Sequence, residues 1–272
     1  MKKIPFFYHV PKNAGTYVVA YMLRISRILC KNIYQSDEKF RCILIMDQQQ
    51  ILARVIVFDK DNLCGQSLTK TPHANPILYS SSIDQLEFIV SASEVFGAII
   101  ESAGFICHDR ISKAFEQKYS LLKFLIERDP LARQQSIYKY IISQKSHHEH
   151  THGNFTAEIS FADYLKNHVK EEDSWLIRHL LNIRHPQEIT EEHFQSAFNI
   201  LKNFLVDDIK QTDSLLRKVF LMSHDIDIND YPNIAQSINK NSNASKQVVV
   251  SDYSLVDNRL YWAYKLYSHL IF

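Results

Sequence analysis

The chain has 272 residues, 46% of them hydrophobic and 22% charged, a composition that suits a globular protein with an ample core. Its formal net charge is only +1, which argues against a general attraction to nucleic acid and requires any anion site to be local. The four cysteines form no CxxC pair and no stretch approaches the roughly 20 apolar residues of a membrane span, so we expect a soluble, cytoplasmic protein.

The first predicted elements are a buried strand, a tight loop and a long helix. The strand covers Ile4 to Val10, and apolar residues at helical spacing predict a helix over 17–31. Backbone N–H groups of such a loop, together with the dipole of the following helix, favour a bound anion. Lys12 would add a positive charge, Thr16 a hydroxyl, and Gly15 close backbone approach.

This loop differs from a Walker A sequence, which needs a glycine, four intervening residues and then Gly-Lys-Ser/Thr. Here the lysine precedes the glycine, and the loop is shorter. An ordinary strand-to-helix turn with an exposed lysine is the alternative interpretation.

The middle of the chain has weaker patterns. Residues 32–50 are polar and irregular around a short apolar run, Cys42 to Met46, whereas the β-branched segment Ile51 to Phe58 predicts a strand. The apolar segment Ala103 to Cys107 predicts a further strand. His108 would then lie at the carboxyl end of that strand, where ligands bind in open α/β sheets.

A second strand–turn–helix unit follows. Ser120 to Glu127 predicts a buried strand, and Leu131 to Gln144 a helix with Pro130 at its first turn. From Ser160 onward the chain is predicted to be mostly helical, with a short strand at 205–206. The predicted helices cover 161–169, 174–183, 190–204, 212–222 and 251–272. These elements predict an α/β protein with a helical C-terminal half.

Two segments resemble the nucleotide-binding loops of sulfotransferases that use 3′-phosphoadenosine 5′-phosphosulfate (PAPS). Residues 9–16, His-Val-Pro-Lys-Asn-Ala-Gly-Thr, resemble the 5′-phosphosulfate loop of the carbohydrate branch, with Asn13 where threonine is commoner. Residues 128–138 match the second pattern at every position: Arg-Asp-Pro, two residues, Arg, two residues, Ser, one residue, Tyr. Weaker matches at 174–180 and 257–261 extend the resemblance over most of the chain.

The resemblance implies a P-loop-like, three-layer α/β fold, with a central, mainly parallel sheet flanked by helices, in a single domain over 1–272. It implies a PAPS-dependent sulfotransferase that releases 3′,5′-adenosine bisphosphate and needs no metal. The acceptor would be a hydroxyl on a carbohydrate or glycoconjugate. The residues expected to bind PAPS are Lys12, Asn13, Ala14, Gly15, Thr16, Tyr17, Arg128 and Ser136, the last two at the 3′-phosphate.

In-line transfer needs a cation at the leaving oxygen and a general base for the acceptor hydroxyl. Lys12 is expected to be the cation. His108 is expected to be the base, since an imidazole with a pKa of about 6.5 suits proton removal at neutral pH. In the resembled branch this histidine often follows a glycine, and this chain has Cys107 instead. Glu101 and Asp109 are the alternatives because related branches use a carboxylate.

Other features remain open at this point. His9 is interpreted as a structural strand residue. Arg110, Arg178 and His179 are candidate contacts to an acidic acceptor. The histidine run from His147 to His152 is a metal site or a solvated loop. Two rival functions are a kinase-like phosphotransferase, with Asp59 as the only candidate Mg²⁺ ligand, and a non-catalytic nucleotide-binding module.

Overall fold

A computed structural model describes the chain over residues 3–34, 40–47, 50–59, 78–80, 95–102, 116, 120–143, 159–168, 174–184, 186–230 and 253–272. The chain divides into two compact units. The first comprises Met1–Ile126 and Lys202–Lys240, and the second comprises Glu127–Leu201 and Asn241–Phe272.

The first unit is built on a sheet in which the described strands number seven. They are β1 (Lys3–Tyr8), β2 (Phe40–Asp47), β3 (Gln50–Asp59), β4 (Leu78–Ser80), β5 (Val95–Ser102), β6 (Ser120–Glu127) and β7 (Leu205–Asp208). Their order across the sheet is β4-β2-β3-β5-β1-β6-β7. β1 runs parallel to both of its neighbours, β5 and β6, while β3 runs antiparallel to β2 and β5. The α/β class is confirmed, with a parallel three-stranded centre inside a mixed sheet.

Three of these strands, β2, β4 and β5, were not predicted, and β4 lies in a stretch, 59–82, that the sequence predicts to be a loop. The prediction of an irregular segment is wrong for β2, which pairs with β3 from Phe40↔Phe58 to Asp47↔Gln50. The short apolar run of β2 gives little local signal, and the antiparallel partner supplies the backbone hydrogen bonds that hold it extended. β5 ends at Ser102, directly before the segment predicted as a strand, and residues 103–107 lie outside the described part.

The described helices follow the predicted pattern closely. They are α1 (Gly15–Tyr34), α2 (Pro130–Ser143), α3 (Phe161–His168), α4 (Trp175–Leu181), α5 (Glu191–Leu201), α6 (Thr212–His224) and α7 (Tyr253–Ile271), with 3₁₀ turns at Ile209–Gln211 and Ile228–Asp230. Among these helices none is long and apolar enough to cross a bilayer. The helical character predicted beyond Pro130 is confirmed where the structure describes the chain.

The core of the first unit packs α1 and α6 against β1 and β6. Every second residue of β6 faces this core, because side chains alternate along a strand. The residues of α1 that face it are three or four positions apart, as on one face of a helix. Its fully buried members include Phe7, Val18, Tyr21, Met22, Ile25, Phe124, Ile126, Leu216, Val219 and Phe220. Each large apolar side chain contributes about 1.5–3 kcal/mol on burial. This packing fixes β1 and α1 firmly and therefore fixes both ends of the loop between them.

The second unit has a separate apolar cluster formed by α2, α3 and α7. Phe161, Tyr164, Leu165 and Leu260 are buried at its centre, with α2 residues packed around them. The Tyr164 hydroxyl donates to Oε1 of Gln134 at 2.9 Å, so the buried polar groups of α2 and α3 satisfy each other. The helices of this unit are thereby held by both apolar and polar contacts.

Candidate functional site

The loop between β1 and α1 has an unusual backbone. Lys12 and Ala14 both have left-handed conformations, with φ values of 67° and 59°. Such conformations cost non-glycine residues about 1–2 kcal/mol each, so they persist only where surrounding contacts hold them. Left-handed residues are also typical of the backbone nests that bind anions. The loop predicted from its sequence to be an anion cradle thus has the backbone type that such cradles use.

The loop leads directly into the N-terminus of α1. The first helical hydrogen bond runs from the Val18 N–H to the Ala14 carbonyl at 3.0 Å, so the N–H groups of residues 15–17 precede the helical ladder. The first turn of α1 contains no acidic residue, and the Thr16 side chain is exposed. The positive end of the helix dipole therefore lies where the sequence predicts an anion.

Asn13 anchors the loop to the sheet. Its side chain is fully buried, and Nδ2 donates to the carbonyl of Ile126, near the end of β6, at 3.0 Å. Its backbone N–H donates to the Val10 carbonyl at 3.2 Å, which closes a turn within the loop. Asn13 was expected to bind PAPS, and these two contacts give it an anchoring role that the sequence did not reveal.

Gly15 has a steric role that involves His9. A Cβ atom at position 15 would overlap the His9 imidazole, since even Cδ2, the third nearest ring atom, would lie only 2.5 Å away. The backbone of Gly15 is not left-handed, so glycine is not needed here for its conformation. It is needed because only a residue without a Cβ atom leaves room for the His9 imidazole. β1 ends at Tyr8, which makes His9 a loop residue rather than the strand residue that we had inferred.

The Tyr17 side chain is engaged by α6. Its hydroxyl donates to Oδ1 of Asp213 in the first turn of that helix. Burial, and then the hydrogen bond to Asp213, raise the pKa of Tyr17 well above its usual value, while Arg217 acts in the opposite direction. Tyr17 was expected to contribute to PAPS binding, and this contact leaves its backbone N–H as the group suited to that role.

The second predicted segment begins the second unit. Asp129 is the N-cap of α2: its Oδ1 accepts from the Ala132 N–H at 2.8 Å, and the Tyr264 hydroxyl donates to Oδ2 at 3.3 Å. Arg128, immediately before this cap, and Ser136, in the second turn of α2, are both half-buried. The Arg-Asp-Pro pattern therefore caps the helix that carries Ser136 and places Arg128 immediately before that helix.

Two side chains of the second unit contact the Trp175 ring. The Arg133 guanidinium lies 5.4 Å from the ring centroid of Trp175, and the His179 ring stacks on Trp175 with 3.8 Å between ring centroids. The guanidinium of Arg178 donates to the Gln187 carbonyl at 2.8 Å. Arg178 and His179, predicted as acceptor contacts, thus have structural partners within this unit, and their contact with an acceptor stays a prediction.

The candidates for the general base are only partly described. His108 and Asp109 lie outside the described residues, and β5 ends six residues before His108. Glu101 lies in β5, in register with Phe7 of β1. Its Cα therefore lies near the carboxyl ends of the two parallel strands, one residue before the end of β5.

The predicted PAPS residues fall into two groups. Residues 12–17 are contiguous in the first unit, whereas Arg128 and Ser136 belong to the second. The part of the chain that the structure describes contains no group of three His, Cys, Asp or Glu residues suited to a metal ion. The run from His147 to His152 lies outside that part.

A comparison with models of protein families finds no match for this sequence, and neither does a comparison with curated proteins.

Proposed function

We propose that this chain is a sulfotransferase that transfers the sulfuryl group of PAPS to an acceptor hydroxyl, on a carbohydrate or glycoconjugate. The observation that carries the proposal is the conformation of the loop over 9–16. Two left-handed residues lead into the N-terminus of a long helix, at the carboxyl end of the central parallel strand. This arrangement suits a bound phosphate or sulfate group.

The donors in this loop match the charge that such a reaction has to stabilise. The N–H groups of Gly15, Thr16 and Tyr17 and the Thr16 hydroxyl are suited to the 5′-phosphate and sulfuryl oxygens. Lys12 would stabilise the negative charge that develops on the phosphate oxygen as the S–O bond to it breaks. The resemblance assigns the 3′-phosphate to Arg128 and Ser136, where a planar guanidinium can donate two parallel hydrogen bonds.

The acceptor contributes a hydroxyl whose proton has to leave as the new S–O bond forms. His108 is proposed as the base that takes this proton, with Glu101 and Asp109 as the alternatives. A neutral imidazole at this step would make the rate rise with pH and level off above a pKa of about 6.5.

Calorimetric titration with 3′,5′-adenosine bisphosphate is the direct test. We expect the wild-type protein to bind this product in the micromolar range without a metal. Lys12→Ala and Arg128→Ala should each weaken binding about tenfold to hundredfold, since each removes a charged hydrogen-bond donor. Lys3→Ala is the matched control for Lys12, because Lys3 is exposed at the opposite end of β1. Arg184→Ala, at an exposed site of the second unit, is the control for Arg128.

Two outcomes would overturn the proposal. One is the absence of nucleotide binding, and the other is a preference for ATP with Mg²⁺, which would favour the kinase-like alternative. If binding is observed, transfer of radiolabelled sulfate from PAPS to a panel of hydroxyl acceptors then tests catalysis. Binding without turnover on any acceptor would favour the non-catalytic module.

A further inference from the structure

We infer that His9 is a positioning residue: its imidazole holds the loop over 12–16 in the conformation that binds an anion. The inference rests on the proposed function only for the choice of a nucleotide ligand. The contact between His9 and Gly15 is independent of that choice.

The imidazole continues a column of rings that rises from the core. Phe124 stacks on Phe7 with 5.2 Å between ring centroids, and Phe7 stacks on His9 at 5.3 Å. Phe7 and Phe124 are fully buried, so the base of this column is held by close packing on all sides. The buried Phe7 ring therefore supports the His9 ring from the core side.

The same ring also meets Gly15, the first residue of α1. The imidazole occupies the volume that a Cβ atom at Gly15 would need, and Nε2 is the nearest atom to that volume. Ala14, whose backbone is left-handed, directly precedes this contact. The ring thus supports the junction between the strained loop and the helix N-terminus.

Two contacts then fix the loop at different points. The hydrogen bond from Asn13 to the Ile126 carbonyl fixes its centre, and His9 fixes its junction with α1. Strained backbone persists only where such contacts hold it. Loss of the His9 contact should therefore let Lys12 and Ala14 relax toward ordinary conformations, and the N–H groups would no longer converge.

A double-mutant cycle of His9→Ala and Gly15→Ala tests this inference because the two changes should compensate. His9→Ala removes the support and should raise the Kd for 3′,5′-adenosine bisphosphate about fivefold to tenfold. Gly15→Ala places a methyl group against the ring and should raise it at least tenfold. In the double variant the methyl group enters the volume that the ring has left, so binding should be at least threefold tighter than for Gly15→Ala alone. His9→Phe keeps a planar ring on Phe7 and should stay within threefold of wild type.

A second measurement on the same four proteins needs no ligand: the rate of amide hydrogen exchange at residues 15–17. Exchange should accelerate in each single variant and slow again in the double variant, while the amides of β6 stay unchanged. If the wild type binds no nucleotide but the exchange pattern compensates, the proposed function fails and the positioning role of His9 stands. The role of His9 would be overturned if the free-energy effects of the two substitutions were additive in both binding and exchange. So would a His9→Phe variant as impaired as His9→Ala.

Discussion

Tyr17 donates its hydroxyl hydrogen to the carboxylate of Asp213, and this bond joins the first turn of α1 to the first turn of α6. The two residues are 196 positions apart in sequence, so the pair ties the start of α1 to an element that lies far along the chain. Asp213 places a negative charge close to a helix N-terminus that is suited to anions. The hydrogen bond from Tyr17 and the nearby Arg217 moderate that charge.

Tyr17→Phe is predicted to destabilise the protein. The substitution keeps the aromatic ring but leaves the partly buried carboxylate of Asp213 without this donor, which should lower the free energy of unfolding by about 1–3 kcal/mol. Urea denaturation followed by circular dichroism measures the change. Leu221→Ala, at an exposed site of α6, is the control and should change stability by less than about 0.5 kcal/mol. A Tyr17→Phe variant as stable as this control would show that the hydrogen bond contributes nothing.

The stability of the protein should fall at alkaline pH. Burial raises the pKa of both Tyr17 and Tyr21 above the ordinary value of about 10, with Asp213 adding to the effect. Above pH 10 the unfolded chain therefore loses protons that the folded chain keeps, so the free energy of unfolding decreases as the pH rises. The slope should be less steep in Tyr17→Phe, which has one such group fewer. Urea denaturation at a series of pH values from 8 to about 11 measures both slopes, and identical slopes would contradict this assignment.

Much of the fold follows from local sequence patterns. The buried strand β6 and the helices α1, α2 and α6 have regular apolar spacing. The apolar residues at this spacing in β6, α1 and α6 are the ones buried in the core of the first unit. β2 and β5 could not be predicted in the same way, because their extended conformation depends on hydrogen bonds to partners elsewhere in the sequence. Local pattern records such pairing only weakly.

The residues of the candidate site also differ in whether the sequence alone could identify their roles. Lys12, Gly15 and Thr16 could be chosen from the loop sequence because their residue types have direct chemical uses. The anchoring of Asn13 to Ile126, the contact of His9 with Gly15 and the bond between Tyr17 and Asp213 depend on tertiary packing. The spacing of His9, two residues after Phe7, was the sequence feature consistent with stacking of the two rings.

Ala14→Gly is predicted to stabilise the protein. Glycine adopts a left-handed backbone without steric cost, whereas Ala14 pays about 1–2 kcal/mol for its φ of 59°. Part of this gain is lost to the greater freedom of glycine in the unfolded chain, so the net increase in unfolding free energy should be up to about 1 kcal/mol. Ala20→Gly, in the interior of α1, is the matched control and should instead lower stability by about 1 kcal/mol. Thermal denaturation distinguishes the two signs, and a loss of stability in Ala14→Gly would contradict the left-handed assignment.

Asn13→Asp should damage the protein more than Asn13→Ala, although aspartate is nearly identical to asparagine in shape. The amide of Asn13 donates to the Ile126 carbonyl in a fully buried position. Alanine removes that donor and leaves a small void, at a cost of about 1–3 kcal/mol. Aspartate replaces the donor with an oxygen that faces the carbonyl oxygen of Ile126, and it also buries a negative charge, which costs more.

The two Asn13 variants also separate anchoring from direct contact with the anion. If Asn13 acts through the loop, both substitutions should weaken binding of 3′,5′-adenosine bisphosphate. The Kd should be higher for Asn13→Asp than for Asn13→Ala, because the added negative charge repels the phosphate. Lowering the pH toward 4 should protonate the buried carboxyl group and narrow the stability difference between the variants, because a neutral carboxyl can donate a hydrogen bond to the Ile126 carbonyl. Chemical denaturation at pH 4 and pH 7 measures this difference. An aspartate variant as stable as the alanine variant at pH 7 would mean that the side chain at position 13 is not held against β6.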